Sequence, residues 1–262
     1  MFLAIDVGNT TISIGLYRGE SRLGAWRMRT DRDRTGDEHG VLIAQLLALQ
    51  GYHLADVTGV AVSNVVPPLA PAIREFAERY TGRPAEFVGE ALIPSLPNLY
   101  APPGAVGADR LVDAIAVLRR YGAPAVVVDF GTATTFDAIS ARGEYLGGAI
   151  APGVGISLEA LFRTAAHLPR IEIARPARAI GGSTVESMQS GAYYGFVGQV
   201  EGIVRRFVAE LGPNTRVIAT GGLAPLIAPE TPVLQHVDLY LTLDGLRILW
   251  DEHHSNRSGS GP

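Results

Sequence analysis

A short pattern occurs twice in this chain, almost half its length apart, and it restricts the fold more than any other feature. Near the start, Phe2-Leu3-Ala4-Ile5 runs into Asp6-Val7-Gly8-Asn9-Thr10-Thr11, and Ile12-Ser13-Ile14-Gly15-Leu16-Tyr17 follows. Further on, Val126-Val127-Val128 runs into Asp129-Phe130-Gly131-Thr132-Ala133-Thr134-Thr135, and Phe136-Asp137-Ala138-Ile139 follows. Each copy reads as an apolar strand, a glycine-bearing turn rich in small polar residues, and a second strand: a β-hairpin. Two such copies predict two similar halves, each opening with a hairpin whose turn faces a cleft between them.

Between and after the hairpins the apolar spacing alternates between helical and extended periods. Helices are predicted over 37–50, with Val41, Ile43, Leu46 and Leu47 as the buried stripe, and over 70–80, 109–120, 156–164, 186–211 and 243–252. The helix over 186–211 is expected to break near Gly195. Strands are predicted over 57–63, 85–88, 145–151 and 216–220. This alternation indicates an α/β class. The break at Tyr121-Gly122-Ala123-Pro124 sets the expected domains at 1–120 and 121–252, with a polar, disordered tail over 253–262.

The turns carry the candidate chemistry. Gly8 lets the backbone approach an anion, and Asn9, Thr10 and Thr11 offer N–H and hydroxyl donors, as a phosphate site requires. A lone carboxylate beside phosphates, here Asp6, suits Mg²⁺. An ordinary hairpin turn explains one copy equally well; a second copy favours function, since two turns can clamp a polyphosphate. In that second copy Thr132 is placed to donate to a terminal phosphate and Asp129 to hold a cation, the alternative for Asp129 being a turn cap. Thr220-Gly221-Gly222 closes a strand with a bare backbone against which a flat group can lie. Gly107-Ala108-Asp109-Arg110 opens a helix. Asp109 stands there either as an N-cap or as a general base, with Arg110 ready for a carboxylate or a phosphate. Tyr100 either lines a pocket or packs.

Composition removes several alternatives. The 262 residues contain neither cysteine nor lysine, which excludes disulfide and thiolate chemistry, Schiff-base catalysis and a lysine-bearing P-loop. A net charge of −4 argues against a nucleic-acid footprint. The first residues enter a strand pattern without the layout of a signal peptide, and no apolar run spans a bilayer, so a cytoplasmic protein is expected. The six histidines show no ligand spacing; His253 and His254 are assigned to the solvated tail.

With these residues in place, the sequence resembles the type III pantothenate kinases over nearly the whole chain. The markers are Asp6-Val7-Gly8-Asn9-Thr10, Tyr100 with Gly107-Ala108-Asp109-Arg110, Asp129-Phe130-Gly131-Thr132, Gly147-Gly148 with Ala151-Pro152-Gly153, Ser183-Thr184 before Gln189-Ser190-Gly191, and Thr220-Gly221-Gly222. The resemblance implies two actin/hexokinase-like (ribonuclease H-like) domains of the acetate-and-sugar-kinase superfamily, and a homodimer. It implies that Asp6, Val7, Gly8, Asn9, Thr10, Thr11, Ile12, Ser13 and Thr132 bind ATP, used with Mg²⁺. It implies that Tyr100, Gly107, Ala108, Asp109, Arg110 and Thr184 bind pantothenate, with Asp109 as catalytic base. Asp129 would take potassium or ammonium. The expected reaction is phosphorylation of pantothenate at the start of coenzyme A synthesis. Two readings compete with it: the same fold acting on another small acceptor, and a nucleotide-binding regulatory protein without turnover.

Overall fold

The structure, a computed structural model, describes residues 1–258. In the first half, β1 (Phe2–Val7), β2 (Thr11–Arg18) and β3 (Ser21–Arg29) form a meander. They are followed by α1 (Gly36–Ala48), β4 (Gly59–Asn64), α2 (Ala70–Thr81), β5 (Ala85–Phe87) and α3 (Ala108–Arg120). The second half repeats the plan with β6 (Ala125–Phe130), β7 (Ala133–Ile139), β8 (Tyr145–Pro152), α4 (Val154–Thr164), α5 (Thr184–Leu211) and β9 (Arg216–Gly221). Then come α6 (Ala224–Ile227), β10 (His236–Val237) and α7 (Leu241–Ser258).

The two sheets have one topology. The first runs β3-β2-β1-β4-β5 and the second, read in the same sense, β8-β7-β6-β9-β10. In each, the first three strands are antiparallel and the later two join parallel to the hairpin's first strand. The equivalence extends to register: Asp6 faces Ser13 and Ser63, and Asp129 faces Thr135 and Thr220. The expected pair of similar domains is present, and each hairpin tip sits where parallel strands end at their carboxyl termini. That end is where open α/β sheets bind ligands.

The first unit comprises Met1–Leu96, Ala101–Ala116 and the chain from Leu241 onward; the second comprises Pro97–Tyr100 and Val117–Tyr240. α7, although it follows the expected boundary at 120, groups with the first unit. The cause is packing that no local pattern reveals. Trp250 covers Gly59 with its ring tilted 4.9 Å from that of Phe2, Leu243 lies against Gly15, and Tyr17 donates to Asp244 at 2.7 Å. The helix also continues through 253–258, where a disordered tail was expected. His254 stacks 4.2 Å from Trp250 and pairs with Glu86 at 3.2 Å, which holds the added turn to the sheet. Residues 259–262 of the expected tail lie outside the described residues.

One face of the first sheet buries Leu3, Ile5, Val7, Ile12, Ile14 and Leu16 against Ile43 and Leu47 of α1 and Ile73 and Phe76 of α2. Each such side chain contributes about 1.5–3 kcal/mol by leaving water. Val41, expected in the α1 stripe, is 51% exposed, because the buried face is set by His39, Ile43 and Leu47 at four-residue steps. Thr35 and Glu38 form a capping box at the start of α1. In the second unit, Val126, Val128, Phe130 and Phe136 pack on Tyr193, Val197, Val200 and Val204 of α5. This buried ridge carries α5 unbroken for 28 residues through Gly195, where a break was expected. Two strands are absent from the sequence reading: β3, an edge strand with mostly half-buried side chains, and the two-residue edge strand β10.

Candidate active site

The first turn is built by the hairpin itself. The Gly8 N–H donates to the Thr11 carbonyl at 3.1 Å, which leaves Asn9 and Thr10 at the tip. Residues Asp6 to Ser13 form one continuous strand-turn-strand, as expected, with Val7 and Ile12 buried beneath it. Two further hydrogen bonds arrive from beyond β3: the Thr30 N–H donates to the Thr10 carbonyl at 3.0 Å, and the Thr30 hydroxyl donates to the Gly8 carbonyl at 2.6 Å. Arg32 Nη2 donates to Asn9 Oδ1 at 3.3 Å.

The Gly107–Arg110 segment lies at the same end of this sheet. The Val65 N–H donates to the Val7 carbonyl at 3.1 Å, and Val65 packs beside Gly107. Asp109 is the second residue of α3, so it is not the cap that the alternative reading required. Gly107 holds that position: its carbonyl accepts from the Leu111 N–H at 3.4 Å. A Cβ there would stand 2.5 Å from Asp109 Oδ1 and would displace the carboxylate from this position. The Asp109 carboxylate accepts from the Arg110 N–H at 2.8 Å. Burial pushes its pKa up; the Arg110 N–H and the Arg110 charge oppose this without cancelling it. Arg110 is itself buried. A partly buried carboxylate at a helix N-terminus, with raised basicity and an arginine beside it, can orient a hydroxyl and accept its proton.

In the second unit the corresponding turn is tighter. The Gly131 N–H donates to the Ala133 carbonyl at 3.1 Å, with Thr132 alone at the tip and exposed. Asp129 sits between two glycines. A Cβ on Gly131 would come within 3.3 Å of Oδ2, and one on Gly221 would overlap Oδ1 and the Phe130 backbone. Gly221 also has φ +87°, a conformation that side-chain-bearing residues avoid. Gly153 packs against the Thr132 carbonyl so closely that any Cβ would overlap it. The carboxylate, flanked by Thr135 and Thr220, is a hard-oxygen environment that suits a hard cation. Among the described residues, no three His, Cys, Asp or Glu side chains gather as a metal cage.

Tyr100 is half-buried over Gly147, where a Cβ would meet its ring at 3.0 Å, and its ring lies 6.4 Å from that of Tyr145. Thr184 opens α5 after the capping Ser183 and lines a cavity of about 430 Å³ with Ser157, Leu158, Ser187 and Met188. Sequence reasoning did not find Thr30, Arg32 or Gly153's seat on the second turn. Thr30 and Arg32 lie outside every recognised motif, and only the fold of β3 brings them to the first turn.

The family model for type III pantothenate kinase matches residues 2–206. The chain belongs to the type III pantothenate kinases. Relatives bearing that description include one from Moorella thermoacetica, 50% identical over 253 residues, with 97% of this chain and 100% of the relative covered. Another is from Myxococcus xanthus, 50% identical over 256 residues, covering 98% and 100%. Solved structures extend the fold beyond the type III pantothenate kinases. A protein described as a 2-dehydro-3-deoxygalactonokinase from Sinorhizobium meliloti aligns with TM-score 0.63 at 12% identity, over 100% of this chain and 98% of that one. A protein described as a Baf family transcriptional activator from Campylobacter jejuni aligns with TM-score 0.61 at 18% identity, over 97% and 99%. At these identities the likeness is one of fold. The two-domain reading from the repeated hairpin and the resemblance to this family both agree with these findings. Among the described residues, no helix is long and apolar enough to cross a membrane.

Proposed function

We propose that this chain transfers the γ-phosphoryl group of ATP to the primary hydroxyl of pantothenate, giving 4'-phosphopantothenate and ADP. Family membership over the full length at about 50% identity carries the choice of acceptor. The roles of individual residues are those that the family resemblance implies, and the local geometry of the turns and of the α3 N-terminus supports them. The Asp6–Ser13 turn takes phosphate oxygens on its N–H and hydroxyl groups, and Thr132 adds a hydroxyl from the second turn. Mg²⁺, when bound with the nucleotide, neutralises phosphate charge, and Asp6 is the carboxylate at the turn that suits it.

Tyr100, Gly107, Ala108, Arg110 and Thr184 hold the acceptor. Arg110 is the group that matches its carboxylate. The hydroxyl oxygen bonds to the γ-phosphorus as the bond to ADP breaks, and the hydroxyl proton passes to Asp109. A carboxylate is far less basic than an alkoxide even when burial raises its pKa. Asp109 therefore orients the hydroxyl and accepts the proton late, as charge leaves the nucleophile. Asp129, fixed between Gly131 and Gly221, takes a monovalent cation.

The same reading includes a homodimer. Ile156 and Leu161 of α4 and Ile180 are exposed, and Gly191, Gly195 and Gly198 of α5 face open space. Light scattering should give twice the 27.7 kDa chain mass; a monomer at working concentration contradicts that part. The acceptor is tested with a panel of pantothenate, acetate and sugars, followed by ADP release. Turnover on a sugar or acetate but not on pantothenate would overturn the assignment.

A further inference from the structure

The first turn is braced from outside the hairpin, and the brace brings a cation with it. β3 pairs Arg29 with Thr11, and the chain then crosses the tip of the β1–β2 turn. Thr30 bonds the carbonyls of Gly8 and Thr10, on either side of Asn9. Beyond it the segment is tied down repeatedly. The Asp33 N–H donates to Asp31 Oδ1 at 3.1 Å, Arg34 Nη1 donates to the Arg29 carbonyl at 3.1 Å, and Thr35 and Glu38 close the capping box. Arg32 is therefore presented from a pinned loop, exposed, with one guanidinium nitrogen on Asn9 Oδ1.

That contact fixes more than its own geometry. A guanidinium has donors and no acceptor, so the amide oxygen of Asn9 must face it. The two Asn9 amide N–H groups are then turned away from Arg32. Together the pair presents donors at the turn tip: the remaining guanidinium N–H groups and the Asn9 amide N–H groups. A surface of donors with one formal positive charge fits an anion. Arg34, by contrast, is committed to the Arg29 carbonyl and lies 4.0 Å from Asp31. The chain has no lysine, so any side-chain cation delivered to a polyphosphate must be arginine or protonated histidine.

We propose that Arg32, carried to the first turn by Thr30, is a nucleotide-phosphate-binding residue of this kinase. The proposal rests on the reading that the Asp6–Ser13 turn holds the ATP phosphates. Its contribution is to the terminal phosphates, where charge is concentrated, and not to adenosine or to the acceptor. Thr30 is a positioning residue that acts through the turn.

The test is steady-state kinetics with Arg32→Gln, Arg32→Lys and Asn9→Ala, with ADP and adenosine as inhibitors against ATP. An exposed side chain such as Arg32 is replaced at little cost to folding. Arg32→Gln is expected to raise the ATP KM about tenfold, the usual scale of a charge-assisted hydrogen bond to phosphate. The pantothenate KM and the adenosine inhibition constant should stay near wild type, and Arg32→Lys should recover part of the loss. Thr30→Val should raise the ATP KM as well, with Thr30→Ser restoring it. If Asn9→Ala weakens ATP but Arg32→Gln does not, the Arg32 proposal fails and the phosphate turn stands. If neither weakens ATP, the reading of the turn fails and the proposal fails with it. If Arg32→Gln weakens adenosine as much as ATP, Arg32 acts on structure and the proposal is wrong.

Discussion

At the first turn, side chains from a neighbouring segment hold the backbone: Thr30 bonds both flanks of the tip and Arg32 meets Asn9. At the second turn, missing side chains do the corresponding work. Gly153 and Gly221 press so closely on Thr132, Phe130 and Asp129 that no Cβ fits. The two hairpins share sequence signature, sheet position and register, yet one is stabilised by added hydrogen bonds and the other by close backbone packing. A shared Asp-x-Gly pattern thus specifies where a turn lies and leaves open how it is made rigid. The first solution leaves a two-residue tip with donors on it. The second gives a one-residue tip and a carboxylate confined between glycines.

The largest expected effect follows directly from this difference. Gly221→Ala forces overlap with Asp129 and Phe130 at a positive φ, and should destabilise the protein by about 2–4 kcal/mol. Gly8→Ala places its Cβ 3.0 Å from a single carbonyl, that of Thr11, and should cost about 1 kcal/mol. Thermal unfolding of both variants measures the contrast. Equal losses would mean that the turns are held alike.

A comparable effect should appear in acid and should fall on the first unit. His39 is fully buried on α1, neither ring nitrogen has a hydrogen-bond partner, and burial together with the Arg34 charge lowers its pKa to about 4. In the unfolded chain its pKa is near 6.5. From neutral pH downward the unfolded state therefore binds a proton that the folded state refuses. Stability falls between about pH 6.5 and pH 4, by up to about 3 kcal/mol. Hydrogen exchange at pH 7 and pH 5 should show protection lost around α1 and α2 before the second sheet. His39→Leu should flatten the pH dependence; an unchanged slope would remove His39 as its cause.

The smallest effect concerns the confined carboxylate. Replacing potassium by sodium should lower turnover, and Asp129→Asn should lower it further while erasing the preference between the two salts. Equal rates in potassium, in sodium and with neither added would leave Asp129 a purely structural role.

The repeat was legible because strand-turn-strand signals are local: an apolar run, Asp-x-Gly and a second run suffice to mark β1–β2 and β6–β7. The longer helices were legible from period, with ends displaced by at most two residues except at α7, which runs six residues past its expected end; the four-residue α6 was not seen. β3 was not, since an edge strand with half-buried Leu23, Trp26 and Met28 has no clean alternation, and a bulge near Leu16 shifts its register. The position of α7 was hidden for another reason: Trp250 against Gly59 is a contact across almost two hundred residues of sequence. At the site, Asp109 could be seen as a cap or as a base. Only the structure shows Gly107 taking the cap and making room for the carboxylate. Thr30 and Arg32 belong to no motif and owe their place to β3.

The most direct test is to incubate the purified protein with ATP, Mg²⁺, potassium and pantothenate, beside Asp109→Asn, and to detect 4'-phosphopantothenate by mass spectrometry. Wild type should form product. The variant should lose about two to four orders of magnitude in turnover, the scale of a general base. Its melting temperature should not fall, because burial penalises the charge that the substitution removes. Product formation by Asp109→Asn at the wild-type rate, or no product from the wild type although it binds ATP, would contradict the account.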